Sequence, residues 1–433
     1  MKGDFSRDTF EPTKHYSRVL MQQGRVQLDA DWNEQSSILL EFMRGFMIDL
    51  IGPHGGPNSN AGFAITLDAN ALMIGAGRYY IHGLLVENQQ SLALDKQPYH
   101  VLNEVEKKLL QPPNQDVLIY LDAWEHHVTA LEDANIAEVA LGGVDTASRA
   151  QVVWQIRLET PPQNLLSGDG TDVSDKNWED WRNKHEGIRP QMRARTKPGS
   201  NSTDPCAISP ESHYRGLENQ LYRVEIHQGS SNPSKPLEGV TFKFSRENGA
   251  VLAAWLDGNG QRLEVSNTRD FYVGNWVEVF SFENEMEHSP GKLTQIERLD
   301  GDAIIVHDAM MLEDFKTMPR IRRWDQIERA DQKLVNGAIK LEEGSEENDW
   351  ISLEYGIEVQ FSSSQPAVPK RYRTGDYWLI PARVLTGDIQ WSTDHGGWLE
   401  PHGITHHYAP LSLQMPDSRK SLRRLFNRIP PLG

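Results

Sequence analysis

The chain of 433 residues contains one cysteine, Cys206. A single thiol excludes an intrachain disulfide and any metal or cluster site built on cysteines, and it is consistent with assembly in a reducing compartment. Basic residues are also scarce: 44 Lys and Arg stand against 61 Asp and Glu, a formal charge of -17. That balance lacks the clustered cations that displace counterions from nucleic acid, so no nucleic-acid partner is expected. Long apolar runs are missing as well. The most apolar stretch, 38–51, is broken by Glu41, Arg44 and Asp49 and falls short of the roughly 20 residues that span a bilayer. Residues 1–8 lack the basic start and apolar run of a secretory signal, so membrane contact is expected to be at most peripheral.

What the sequence does contain is the length for two or three folding units, at roughly 150 residues each, and 34 Gly with 24 Pro to punctuate them. Residues 1–55 read as an extended arm followed by a helix. Asp31 with Glu34 has the spacing of a capping box, Leu39, Phe42, Met43, Phe46, Met47 and Leu50 recur at helical spacing, and Gly52-Pro53 stops the run. An ordinary core helix is the preferred reading of that stripe, with an oligomer-interface helix as the alternative. Residues 56–160 form a first β-rich domain, with short strands broken by Gly75, Gly77 and Gly83 and longer ones at 117–129 and 151–159. Residues 161–212 are a long loop or linker, held by Trp178 and Trp181.

Residues 213–345 read as a β-meander containing a small barrel. In 221–227 the apolar Tyr222, Val224 and Ile226 alternate with Arg223, Glu225 and His227, the pattern of a half-buried strand. Asn248-Gly249 and Asp257-Gly258-Asn259-Gly260 signal tight hairpin turns. Residues 346–416 are a third β-rich segment, entered through a solvated turn at Glu342, Glu343, Glu346, Glu347 and Asp349 that lacks the ligand spacing of a calcium loop. Residues 417–433 hold five basic residues and one acid, and Leu422, Leu425, Phe426 and Ile429 fall at i, i+3, i+4 and i+7. A basic amphipathic helix ending at Pro430-Pro431 follows, suited to docking on the chain's own acidic body, a neighbouring subunit or an anionic membrane. The predicted fold class is mainly β (α+β): small antiparallel sheets and a barrel, with an N-terminal helix and this C-terminal one.

Candidate chemistry is sparse. Asp122 and Glu125 are two nearby carboxylates, but an extended strand puts Asp122, Trp124 and His126 on one face and Glu125 and His127 on the other, which argues against a glycosidase pair. The imidazoles His395, His402, His406 and His407 are the densest cluster. His402 and His406 have the i, i+4 spacing of a helical zinc pair, but Pro401 and Gly403 disfavour a helix and an extended chain spreads them some 13 Å apart, so hydrogen-bonded surface histidines are expected and no metal is assigned. Nucleophile-elbow, zincin, Walker A and dinucleotide motifs do not occur. Catalytic, cofactor and metal residues are therefore all expected to be none, and the chain is read as a non-enzyme.

Several stretches resemble, in order, a family of phage-tail-like proteins, a domain of unknown function encoded in the gene clusters of contractile injection systems. They are Met1-Lys2-Gly3-Asp4-Phe5, residues 15–35 including Leu28-Asp29-Ala30-Asp31-Trp32-Asn33-Glu34-Gln35, Tyr120-Leu121-Asp122-Ala123-Trp124-Glu125, Val139-Ala140-Leu141-Gly142-Gly143, residues 214–227, Gly375-Asp376-Tyr377-Trp378-Leu379-Ile380-Pro381-Ala382-Arg383 and His406-His407-Tyr408-Ala409-Pro410-Leu411. The resemblance implies a structural subunit in or around the baseplate of a contractile particle, assembled in the cytoplasm of a bacterium in multiple copies. Its implied partners are other subunits, whether baseplate, spike or sheath. It brings no catalytic residue with it. Phe5, Tyr16 and Trp32 near one end and Arg419, Leu422, Arg423, Arg424, Leu425 and Phe426 near the other are the candidate assembly residues. A tail-fibre-like or glycan-binding module of the same particle is the alternative, and a cell-wall polymer hydrolase a weaker one.

Overall fold

A computed structural model describes residues 1–68, 71–111, 115–163, 165–166, 173–198, 213–232, 235–363, 370–416 and 418–427. Cys206, Ile429 and Pro430-Pro431 lie outside the described residues. The fold is mainly β, with small antiparallel sheets, one closed barrel and a long N-terminal helix.

The longest strand, Val117–Val128, sits between Arg149–Glu159 and His407–Met415, both antiparallel to it. Its alternation serves two cores. Val117, Ile119 and Leu121 pack with Phe63, Ile81 and Trp154 on one side, while Leu118 and Tyr120 meet Trp178, Trp181 and Tyr408 on the other. The two tryptophans belong to a helix, Asp175–Glu186, where they stack 4.3 Å apart. The stretch read as a linker thus contains a helix, and also the strand Met192–Thr196.

A six-stranded sheet, with Gln220–Gln228 and Thr241–Ser245 at its centre and Tyr377–Arg383 beside them, shares one core with the three-stranded sheet of Met192–Thr196, Ile357–Phe361 and Ile351–Ser352. The six-stranded barrel is inserted into this sheet. Thr241 pairs with Lys340 and Phe242 with Ile339, and the barrel strands Leu252–Asp257 through Arg320–Trp324 lie between those partners in sequence. The expected small barrel is present, closed around Trp255, Leu263, Val279, Ile304 and Ile321.

Four local expectations need correction. The helix, hereafter α1 (Asp29–Ile51), begins two residues before Asp31 with no side-chain cap. Glu34 accepts from the Thr9 hydroxyl at 2.6 Å and Asp29 from Ser6, so the arm, not a capping box, uses these carboxylates. Asn248 and Gly249 both have the positive φ of a tight turn, but the strands on either side enter different sheets and make no hairpin. Gln220–Gln228 is buried on both faces rather than one. Finally, the tail is not helical: Ser418–Ser421 pairs antiparallel with His407–Met415, and Leu425–Phe426 pairs parallel with His54–Pro57. Open sheet edges offer this segment a full hydrogen-bond ladder, and that outweighs a helical stripe only two turns long.

Candidate functional site

The polar side of Gln220–Gln228 faces the barrel across a cavity of about 490 Å³. Alternation supplies the charges. Arg223 and Glu225 lie two apart on one strand, and Lys243 is the direct partner of Glu225 on the next. Glu278 and Arg322 are direct partners in the barrel wall. Lys243 Nζ donates to Glu278 Oε2 at 2.6 Å and lies 3.5 Å from Glu225. Lys2, carried in by the arm, lies 3.3 Å from Glu225. Arg320 bridges Glu132 and Glu285, and Arg322 lies 3.6 Å from Glu285. Five cations therefore meet four carboxylates out of bulk water.

Burial alone would push the carboxyls of Glu225, Glu278 and Glu285 up, but the surrounding cations overcome it. Lys2, Arg223 and Lys243 hold Glu225 far below the usual carboxylate range, Lys243 does the same for Glu278, and Arg320 with Arg322 bring Glu285 to about 2. Burial lowers Lys2 to about 8 and His127 to about 3. Glu225, Glu278 and Glu285 are thus held ionised by the cations around them, a geometry that fixes the arm, the sheet and the barrel against one another.

His126, Glu132 and Glu285 place ligand atoms within 4.8 Å of one another. Arg320 donates to both carboxylates and His126 Nε2 lies 2.8 Å from Glu132 Oε2, so the three groups are already paired within the chain. The four imidazoles singled out in the sequence are dispersed: His406 Nδ1 bonds Asp122 at 2.7 Å, His407 packs on His82, His402 stacks on Tyr377, and His395 sits in a turn. Asp122 and Glu125 diverge as strand geometry requires, Glu125 pairing with Arg44 of α1 at 3.0 Å. Beside the Asp122–His406 pair lies a second cavity of about 440 Å³ lined by Arg371 and Arg373. Both guanidinium groups donate to the last carbonyls of the Asp175–Glu186 helix, His185 and Glu186, where cations complement the helix dipole.

The candidate assembly residues divide by exposure. The described tail residues turn inward onto the chain's own body. Leu422 is buried in the core with Trp178 and Trp181, Arg423 donates to the carbonyls of Ala61 and Gly62, Arg424 pairs with Asp175, Arg419 bonds Gln414, and Phe426 packs on Tyr80. Leu425 stays half exposed at the sheet edge. Phe5 is half-buried, edge-on to His127. Tyr16 and Trp32 face solvent, Trp32 at 77 % exposure.

Trp32 introduces a face that the sequence reading placed by preference in the core and only as the alternative at an oligomer interface. Only Ala30 and Ile38 of α1 are buried. The side of α1 toward the body carries Arg44, bound to Glu125, while the arm binds α1 through Thr9 to Glu34 and through the Val19 amide to Gln35. A close backbone approach seats it: a Cβ on Gly83, whose φ is +76°, would lie 2.6 Å from Arg44 Cα. Leu39, Phe42, Met43, Phe46 and Leu50, expected in the core, instead point outward, with Phe46 at 63 % exposure and Met43 at 64 %. Periodicity located the apolar face correctly and said nothing of what covers it. Among the described residues, no helix is long and apolar enough to cross a membrane.

No curated protein and no solved structure matches the chain. One family model does, over residues 1–164, 181–260 and 308–418, leaving out the Asp175 end of the tryptophan helix, a stretch of barrel strands at 261–307 and residues 419–433. With the arm, α1, the long central strand and its partner His407–Met415 all inside the matched residues, the chain belongs to the family of unknown function DUF6519.

Proposed function

We propose that the chain is a structural subunit of a contractile, syringe-like particle, in or around its baseplate, and that it acts by protein–protein contact with other subunits. The resemblance of the quoted stretches to phage-tail-like proteins suggests the type of particle. The observation that carries an assembly role is the outward face of α1, where Leu39, Phe42, Met43, Phe46 and Leu50 are all exposed. Burying such a face against a partner is favourable by roughly 25 cal/mol per Å² of apolar area, and soluble monomers rarely leave so much of it contiguous. On the same reading the chain is assembled in the bacterial cytoplasm, in several copies per particle.

The test uses Leu39→Glu with Phe46→Glu in cells that make the particle. Both side chains are exposed, so the folded body is expected to survive. Purified particles, imaged and quantified by subunit, should lose at least tenfold of this chain relative to wild type. Full occupancy by the double variant overturns the proposal.

A further inference from the structure

The outward face of α1 has a period as well as an exposure. Trp32, Ser36, Leu39, Met43, Phe46 and Leu50 follow at alternating steps of four and three residues, the spacing by which a helix keeps one seam against another helix. Five of the six are apolar and each is exposed. Leu40 and Phe42 flank the seam and widen it to the roughly three-sevenths face of a bundle helix. The charged residues in its middle, Glu41 and Arg44, fall at the heptad positions turned away from the seam, and Arg44 is held by Glu125.

We propose, resting on the assembly reading above, that the occupant of this face is α1 of a second copy of this chain. Area supports the choice. At roughly 200 Å² per large side chain, the exposed fractions of the seam and its flanks expose on the order of 800 Å², the share that one partner brings to a standard specific interface. Charge supports it too. Copies of a chain carrying -17 repel over most of their surface, and the seam between Ser36 and Met47 is where acids are turned away. The register is self-complementary, since two identical helices of 23 residues, each about 35 Å long, meet seam to seam without mismatch.

The experiment is light scattering on the full chain after size exclusion, at micromolar concentration. Wild type should show an integer multiple of 49.2 kDa, and Leu39→Glu with Phe46→Glu should return it to one chain with unchanged circular dichroism and melting. In a Cys206→Ser background, Met43→Cys on the seam should crosslink to itself on oxidation, and Glu41→Cys off the seam should not. A single-chain mass for wild type, or a multiple that the double variant leaves intact, overturns self-pairing. The two proposals fail separately. A wild type that is single-chain in solution, yet lost from particles only as the double variant, leaves the assembly reading standing. Self-association through α1 with full particle occupancy by the double variant does the reverse.

Discussion

Lys243 is the residue on which the buried ionic network turns, because its ammonium faces both Glu225 and Glu278 while being nearly inaccessible to water. Removing it takes from Glu278 its nearest cation and from Glu225 one of the three that surround it, in a medium that solvates both carboxylates poorly. Lys243→Met is therefore expected to destabilise the fold by about 3–5 kcal/mol, whereas adding Glu278→Gln should return part of that loss because one of the stranded charges is then gone. Urea denaturation of the single and double variants checks it, and strict additivity of the two losses would contradict the coupling. The alternation Tyr222, Arg223, Val224, Glu225, Ile226, His227 was legible in the sequence as one apolar and one polar face. That the polar face is also interior was not legible. The groups that compensate it, Glu278 and Arg322, arrive from the barrel wall, and Lys2 arrives from the opposite direction along the chain. A polar face reads as solvent-facing unless its partners are adjacent in sequence.

The elements differ in how far local pattern decided them. Turn chemistry and period-2 alternation sufficed for the barrel, whose strands follow one another through Asp257-Gly258-Asn259-Gly260 and Asp300-Gly301-Asp302. They did not suffice for the tail, where four apolar positions matched a helix and two open sheet edges took the segment instead. The two readings of the tail make different predictions. In an amphipathic helix Leu422 and Leu425 share a face and would respond alike. In the strand arrangement Leu422 is 3 % exposed among Trp178, Trp181 and Leu413, while Leu425 is 49 % exposed. Leu422→Ala is accordingly expected to cost about 2–5 kcal/mol and Leu425→Ala less than about 1 kcal/mol. Thermal unfolding of both variants decides it, and equal losses would reinstate the helix. The candidate site divides in the same way: the apolar period of α1 was visible in residues 39–50, but its orientation depended on Arg44, Gly83 and Glu125 meeting across the inner side.

At the scale of the whole molecule, sequence order and spatial order part company. The last long strand, His407–Met415, lies against Val117–Val128, and the barrel is an insertion between paired neighbours of the central sheet. Linear segments of β-rich sequence therefore do not map one by one onto sheets. Net charge is also a whole-molecule property, and it yields a test that separates an apolar seam from contact by ion pairs. If copies meet through α1, association works against the mutual repulsion of chains carrying -17. Salt shortens the range of that repulsion from roughly 10 Å at 0.1 M to about 3 Å at 1 M, while apolar burial is left intact. Self-association measured by sedimentation should therefore strengthen as sodium chloride rises across this range, and the Leu39→Glu with Phe46→Glu variant should remain single-chain throughout. Were the contact built instead on surface ion pairs such as those of the basic tail, salt would screen the attraction itself and the oligomer would dissociate. A mass that falls with added salt would thus exclude α1 as the seam and direct attention to the charged edges.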